Sequence, residues 1–226
     1  MLNRRLLIAS LAAMPVAAQA RSRPRGDDFR DGLGQWQLEA DGAATVTAQG
    51  GVLDIVAPRG LTLWYKTSLK GRVAIAYDVR VVSAGGPHDE VSDVNAFWMA
   101  TDPAAPGGSA LARPRSGKFE EYDTLRTYYI GIGGNRNTTT RMRRYVGRPG
   151  DRPLLPEHDR PAKADMLEPN RWFHLALIAD GHRITVERDG ALLFEMNDPT
   201  PYRSGHFGIR TTQSHIQVRN LTITSI

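Results

Sequence analysis

Short runs in which apolar and polar residues alternate, separated by tight-turn signals, constrain this chain more than any other feature. Alternation places the apolar side chains on one face of an extended strand, and no segment shows the longer period of a helical stripe. Gly50-Gly51 and Asp189-Gly190 lie between such runs, and these pairs favour the positive φ angles of tight hairpins. The predicted strands cover residues 43–47, 52–56, 61–65, 73–82, 94–100, 127–132, 138–145, 172–179, 183–188, 191–196, 205–211 and 216–223.

Short strands at this spacing, without intervening helices, favour an all-β fold: a two-sheet antiparallel sandwich of the jelly-roll kind. Residues 101–118 and 147–169 interrupt the pattern and are rich in proline, glycine and charge. Loops of this length are either functional or mobile insertions at the rim of a sheet. The chain has no cysteine, so its stability depends on the buried sheets and not on disulfides or thiolate metal sites.

The first twenty residues, 1–20, have the pattern of an export signal. Arg4-Arg5 opens it, residues 6–16 are apolar, and Ala18-Gln19-Ala20 offers the small residues of a cleavage site. The apolar stretch is too short for an ordinary transmembrane helix, and no membrane partner is predicted. We expect one domain, residues 21–226, that is exported to the periplasm or the medium by the general secretory or the twin-arginine route.

The formal net charge of +5 is a mild basic excess. A nucleic-acid-binding protein usually concentrates basic residues in one patch, and here the cationic cluster at 141–144 fits a groove for an acidic sugar equally well. Export favours the sugar, so the predicted partner is an acidic polysaccharide or oligosaccharide and not a nucleic acid. The sequence identifies no cofactor and no metal-ligating residue. A structural calcium ion, common in this fold class, stays an open alternative, because the acids are too scattered to name its ligands.

The residue run 135–145 is unusual for a surface strand because it combines threonines, arginines and asparagines. If the run is extended, Arg141, Arg143 and Tyr145 share one face, and Met142 on the other face indicates which side meets the core. Guanidinium groups pair with a carboxylate at two points, and a tyrosine adds a flat face and a hydroxyl. This strand is therefore predicted to face an acidic sugar.

The alternative is a solvated strand whose arginines pair with Glu120, Glu121 and Asp123. Tyrosines also cluster just before this strand. Tyr128 and Tyr129 are adjacent, so one points into the core and the other is available to a ligand.

Two regions carry a resemblance to known families. Residues 167–174 with 184–190 and 204–210 resemble the closing strands of concanavalin-A-like domains. Residues 93–103 and 128–145 are similar to bacterial exported domains of unknown function of the DUF6250 type, and more distantly to YesU-like proteins associated with pectin breakdown. The resemblance implies a jelly roll and a setting of polysaccharide use, and it assigns no catalytic residue.

Three functions follow from these patterns. The first is a polysaccharide lyase that cleaves uronate-containing chains by β-elimination, which requires a group that neutralises the carboxylate, a base and an acid. The candidates for proton exchange are His88, Tyr122, Tyr128 and Tyr145. The candidates for substrate binding are Asn95, Trp98, Arg126, Asn135, Asn137, Arg141 and Arg143. The second is a non-catalytic carbohydrate-binding module or lectin, and the third is a purely structural envelope protein without a ligand. A glycoside hydrolase is the weaker enzymatic alternative because no close carboxylate pair is evident.

Overall fold

The computed structural model describes residues 25–226, so the predicted export signal lies outside the described residues. Two antiparallel sheets of eight strands each pack face to face, as the alternation predicts. All twelve predicted strands are present, with ends that differ by at most a few residues. Within residues 25–226 no helix is long and apolar enough to cross a membrane.

The first sheet, sheet A, has an outer face of polar residues and an inner apolar face. The strand β7 (Val73–Val81) shows this most simply, since buried and partly buried residues alternate along its whole length. The spatial order of sheet A is β14 (Ala191–Asn197), β13 (Arg183–Arg188), β12 (Phe173–Asp180), β7, β16 (Ser214–Ser225), β4 (Val52–Ala57) and β3 (Thr45–Gln49), and β1 (Arg25–Asp27) also pairs with β16.

The second sheet, sheet B, differs because its central strands are buried on both faces. Its spatial order is β11 (Asp159–Arg160), β10 (Thr139–Val146), β9 (Arg126–Gly133), β8 (Val94–Thr101), β15 (Ser204–Thr211), β5 (Leu61–Tyr65) and β2 (Trp36–Ala40), and β6 (Leu69–Lys70) also pairs with β15. Something other than sheet A must therefore cover its outer face.

Residues 102–125, the covering segment, lie over the outer face of sheet B. Tyr122 and Leu125 of this segment pack on Trp64, Phe97 and other aromatic residues of the outer face, forming a second apolar cluster separate from the core between the sheets. The segment expected to be a rim loop is thus a fixed layer of the fold over most of its length.

Buried polar contacts hold this layer on the sheet. Glu39 accepts hydrogen bonds from the Trp64 indole at 2.8 Å and from the Tyr122 hydroxyl at 2.9 Å, and it also accepts one from the backbone N–H of Arg115 at 2.9 Å. The Arg115 guanidinium forms a buried ion pair with Asp102 at 2.7 Å. The Glu39 carboxylate stabilises the fold because each of its donors would otherwise be buried without a hydrogen-bonding partner.

The four strands that the sequence did not predict are β1, β2, β6 and β11. Three of them have only two or three residues, which is too short for an alternation to be visible. The strand β2 carries Glu39 at a buried position, so its pattern does not read as a strand with one apolar face.

We predict that Glu39→Ala destabilises the fold by about 2–4 kcal/mol, because buried donors on Trp64 and Tyr122 lose their acceptor at ~1–3 kcal/mol each. Gln37→Ala, on the same strand and face, is the matched control and should change stability by less than about 1 kcal/mol, since its side chain makes one long hydrogen bond of 3.4 Å. Urea unfolding measures both. Equal midpoints for the two variants would contradict the anchoring role of Glu39.

Candidate functional site

The covering segment leaves one end of the outer face of sheet B open, and a hollow of about 490 Å³ lies there. Its volume falls in the range of ~300–1,000 Å³ that is typical of ligand pockets. The hollow is rich in polar side chains and contains five arginines against two acids. The lining residues are Glu90, Ser92, Asp93, Asn95, Phe119, Tyr129, Gly131, Gly134, Asn135, Arg136, Thr139, Arg141, Arg143, Arg152, Arg210, Thr212 and Gln213.

The floor of the hollow is built by strand register. Arg210 of β15 pairs with Asn95 of β8, Asn95 pairs with Gly131 of β9, and Gly131 pairs with Arg141 of β10. Directly opposite residues in an antiparallel sheet point to the same face, so these positions form one row across four strands. The neighbouring row brings Tyr129 opposite Arg143.

Gly131 leaves the centre of this floor empty. A Cβ at this position would lie 2.6 Å from the Tyr129 hydroxyl oxygen and 3.0 Å from Asn95 Oδ1, so both polar atoms converge above the glycine. Asn95 Oδ1 is buried and has no hydrogen-bonding partner within residues 25–226. A ligand group in the hollow can satisfy it.

Arg210 is almost completely buried, at 1% exposure, at one end of the row. Its Nη1 donates to Thr62 Oγ1 and to the Gly117 carbonyl oxygen, each at 3.0 Å, and its guanidinium lies 4.8 Å from the centre of the Phe119 ring. Its Nε has no partner, and no carboxylate of residues 25–226 forms an ion pair with it. A buried charge without a counterion is costly, so an anion in the hollow would be strongly favoured.

The other arginines differ in how far they are neutralised. Arg141 makes a two-point contact with Asp159, at 2.8 and 3.0 Å, and Arg152 pairs with Asp123 at 2.8 Å. Arg143 instead donates to the backbone carbonyl of Arg152 and has no carboxylate partner within the described chain.

The alternative of a solvated strand therefore fits only in part. Of the acids proposed as partners, Asp123 pairs with Arg152, and Glu121 accepts hydrogen bonds from the backbone and hydroxyl of Ser116. Arg143 has no such carboxylate partner and is available to bind a ligand.

Asp93 lies at the edge of the hollow, immediately before β8, with a φ angle of 55°. Its carboxylate accepts hydrogen bonds from the Ser92 hydroxyl at 2.5 Å and from the Asn95 amide nitrogen at 3.1 Å. Burial raises the pKa of Asp93, and these hydrogen bonds and the positive charge of Arg210 only partly offset the rise. An aspartate with a raised pKa beside a cavity is a candidate for proton transfer.

A left-handed turn closes the rim between β9 and β10. Asn135, Arg136 and Asn137 have φ angles of 53°, 58° and 60° in succession, a conformation that costs most non-glycine residues about 1 kcal/mol or more each. Asn137 stabilises the turn through two hydrogen bonds with the backbone of Leu167, at 3.0 and 2.8 Å. Asn135 and Arg136 therefore line the hollow, whereas Asn137 positions the turn and does not face a ligand.

Several predicted site residues are corrected by their burial. Trp98 and Tyr128 lie in the core between the sheets, where the Tyr128 hydroxyl donates to Asp198 at 2.7 Å. Tyr122 of the covering segment and Tyr145 of β10 are buried in the second cluster. Burial raises the pKa of all three tyrosines, and none has an exposed surface for substrate.

Two further predictions fall outside the hollow. His88 lies in the loop before β8 and does not line the cavity, although Glu90, Ser92 and Asp93 of the same loop do. Arg126 is exposed at the opposite end of β9. The predicted residues that the structure brings together in the hollow are Asn95, Asn135, Arg141 and Arg143.

The sequence reasoning did not select Asp93, Arg210, Phe119 or Arg152, and of the two adjacent tyrosines it selected Tyr128 and not Tyr129. The sequence could have predicted the outward direction of Arg210. Ile209 is apolar and points into the core, so its neighbour Arg210 must point to the other face of the strand. Arg152 and Phe119 could not be predicted in this way, since both come from irregular segments.

Solved structures with similar folds place the chain in a class. A Bacillus subtilis protein of unknown function with a galectin-like fold has a TM-score of 0.66 at 14% identity, covering 91% of this chain and 97% of that one. A carbohydrate-binding module, CBM66 of Bacillus subtilis, has a TM-score of 0.57 at 13% identity over 84% and 96%. The metal-free carbohydrate recognition domain of Emp46p has a TM-score of 0.56 at 15% identity over 88% and 92%.

These likenesses, with the two antiparallel sheets, define a galectin-like jelly-roll sandwich. Comparison with curated proteins finds no sequence match. The chain belongs to the family described as domain of unknown function DUF6250, whose model matches residues 55–221. The resemblance to that family is therefore confirmed.

We predict that acetate, compared with chloride at equal ionic strength, stabilises the protein by about 1 kcal/mol when it is present at several times its dissociation constant. This corresponds to a rise in thermal midpoint of roughly 2–4 °C for a chain of this size. Gly131→Ala should abolish the rise while keeping the fold, because its methyl group fills the space above the floor.

Gly34→Ala is the matched control, since a Cβ there meets nothing within 4 Å. It should retain the full acetate effect. An acetate effect of the same size in Gly131→Ala would show that the anion binds elsewhere.

Proposed function

We propose that this protein binds uronate-containing polysaccharide in the hollow and cleaves it by β-elimination. The observation that carries the proposal is that Arg210 and Arg143, beside Asn95 and Tyr129, form no ion pair with a carboxylate of residues 25–226. A uronate carboxylate supplies negative charge and can accept a two-point contact from a guanidinium group.

β-Elimination has three requirements that the hollow meets. Arginine side chains neutralise the carboxylate, which makes the proton on C5 more acidic. A base removes that proton, the electron pair forms the C4=C5 double bond, and the bond from C4 to the glycosidic oxygen breaks. An acid then gives a proton to the departing oxygen.

Asp93 and Tyr129 are the side chains of the hollow that can exchange protons. The Asp93 carboxylate is the base, since its raised pKa makes it more basic than an ordinary aspartate. Burial raises the pKa of Tyr129 well above its usual range, so its phenol is protonated at neutral pH and is the acid. Asn95 donates to Asp93 and turns its free carbonyl oxygen toward the space above Gly131.

Two further observations support a role in carbohydrate use outside the cytoplasm. Fold neighbours include a carbohydrate-binding module and a carbohydrate recognition domain. The pattern of residues 1–20 supports export to the periplasm or the medium. Fractionation of cells producing the full chain, with mass spectrometry of the amino terminus, tests the export.

The second candidate function is carbohydrate binding without cleavage. It is favoured by the burial of Tyr122, Tyr128 and Tyr145, the tyrosines that the sequence assigned to proton exchange. In this case the arginines would hold the acidic sugar and Asp93 would only orient Asn95.

An absorbance assay distinguishes these functions. We predict that the protein raises ultraviolet absorbance from unsaturated uronates on at least one acidic polysaccharide. Arg143→Ala should lower kcat/KM by about 100-fold or more, because an electrostatic contact to the developing charge is typically worth 10²–10³. Arg126→Ala, on the same sheet but outside the hollow, is the control and should stay within about twofold.

Each result has one meaning. Binding to acidic polysaccharide without new absorbance supports the binding module, and new reducing ends without absorbance support hydrolysis. Cleavage that is equally fast in Arg143→Ala would contradict the assignment of the hollow as the active site.

The pH profile provides an independent prediction. If Asp93 is the base, kcat/KM rises with pH as Asp93 loses its proton, and the midpoint lies above the ordinary aspartate value of about 3.9. Asp93→Asn should remove cleavage and retain binding, and Tyr129→Phe should lower cleavage at every pH. An acidic limb that is unchanged in Asp93→Asn would show that another group is the base.

A further inference from the structure

A second cavity of about 240 Å³ adjoins the hollow. It lies between the end of β2, the start of β5 and residues 118–120 of the covering segment. The two cavities share four lining residues, which are Phe119, Arg210, Thr212 and Gln213. The two cavities therefore adjoin each other at Arg210, and together they form the cleft.

The cleft runs across the strands of sheet B. The floor row passes from Arg141 of β10 through β9 and β8 to Arg210 of β15, and the second cavity continues to Gly60, immediately before β5. Four spacings of ~4.8 Å between neighbouring strands give a length of roughly 19 Å. This is longer than any monosaccharide, so a single sugar ring would leave part of the cleft empty.

The second cavity has a small excess of positive charge, because three cations, Arg59, Lys118 and the shared Arg210, line it against two acids, Asp41 and Glu120. Lys118 is exposed and forms no ion pair within residues 25–226, and Arg59 lies 3.8 Å from Asp41 in a pair that is itself exposed to solvent. Exposed pairs of this kind are weak, so Arg59 remains open to another anion. The buried Arg210 contributes its charge to both cavities.

Phe119 of the covering segment forms a wall of the cleft, and contacts within the protein hold this wall in place without a ligand. The Phe119 ring lies between the guanidinium groups of Arg152 and Arg210, each 4.8 Å from the ring centre. The segment itself is anchored by the buried Arg115 and Asp102 ion pair. A preformed wall lowers the entropic cost of binding an extended chain.

We infer that the cleft binds at least two successive acidic sugar residues of one chain, with the reacting uronate in the hollow and its neighbour beside Arg59 and Lys118. The inference rests on the proposed function and narrows its substrate class to polymers that carry acidic groups on neighbouring residues. The second residue adds binding energy away from the reacting bond, as remote contacts do in many enzymes.

Calorimetric titration with galacturonate and mannuronate oligosaccharides of one, two, four and six residues tests the inference. Titration uses Asp93→Asn, so that substrate is not consumed. We expect the dissociation constant to fall by about tenfold or more between one and four residues in at least one series. Arg59→Ala with Lys118→Ala, added to this background, should reduce that gain to less than about threefold and leave monosaccharide binding unchanged.

Arg148→Ala with Lys163→Ala makes the same change in charge at exposed positions outside both cavities and is the matched control. Affinity that does not depend on chain length, or a gain that survives in the Arg59 and Lys118 variant, would overturn the inference. No binding at any length would overturn it together with the proposed function. A length-dependent gain without unsaturated product from wild-type protein would leave the inference standing and reject the lyase.

Discussion

The buried guanidinium of Arg210 is the feature on which the site depends. The strand register places it on the outer face of sheet B, and the covering segment then surrounds it with Phe119 and Tyr122. Neither the strand register nor the covering segment alone would create an anion site, because water satisfies the hydrogen-bond donors of an exposed arginine. Burial without a carboxylate partner is what makes negative charge in the hollow favourable.

The same alternation builds the core and the site. In β9, Tyr128 and Ile130 point between the sheets, while Tyr129 and Gly131 point outward. A slip of one residue would exchange these two sets, burying polar groups in the core and opening apolar ones to the hollow. The stability of the sandwich therefore also holds the Tyr129 hydroxyl in place, which is how a rigid scaffold positions reactive groups.

Local periodicity predicts which face a residue occupies, but not what covers that face. The outward direction of Arg141, Arg143 and Tyr145 followed from Met142, and the structure agrees. The burial of Tyr145 did not follow, because it depends on residues 102–125, which are distant in sequence and irregular. The same long-range packing brings Phe119 to the hollow. Glu39 of β2 anchors residues 102–125, and the alternation did not predict β2 because Glu39 is a polar residue at a buried position.

For the proposed function, the pairing of the arginines favours a uronate chain over nucleic acid. Arg141 and Arg152 each have a protein carboxylate, so only some of the arginines that line the hollow remain available to a ligand. Double-stranded DNA presents a charge about every 1.7 Å and is bound through many phosphate contacts. A uronate presents one planar carboxylate with hydroxyl groups around it, and the free arginines stand beside Asn95 and Tyr129, which can bond to both.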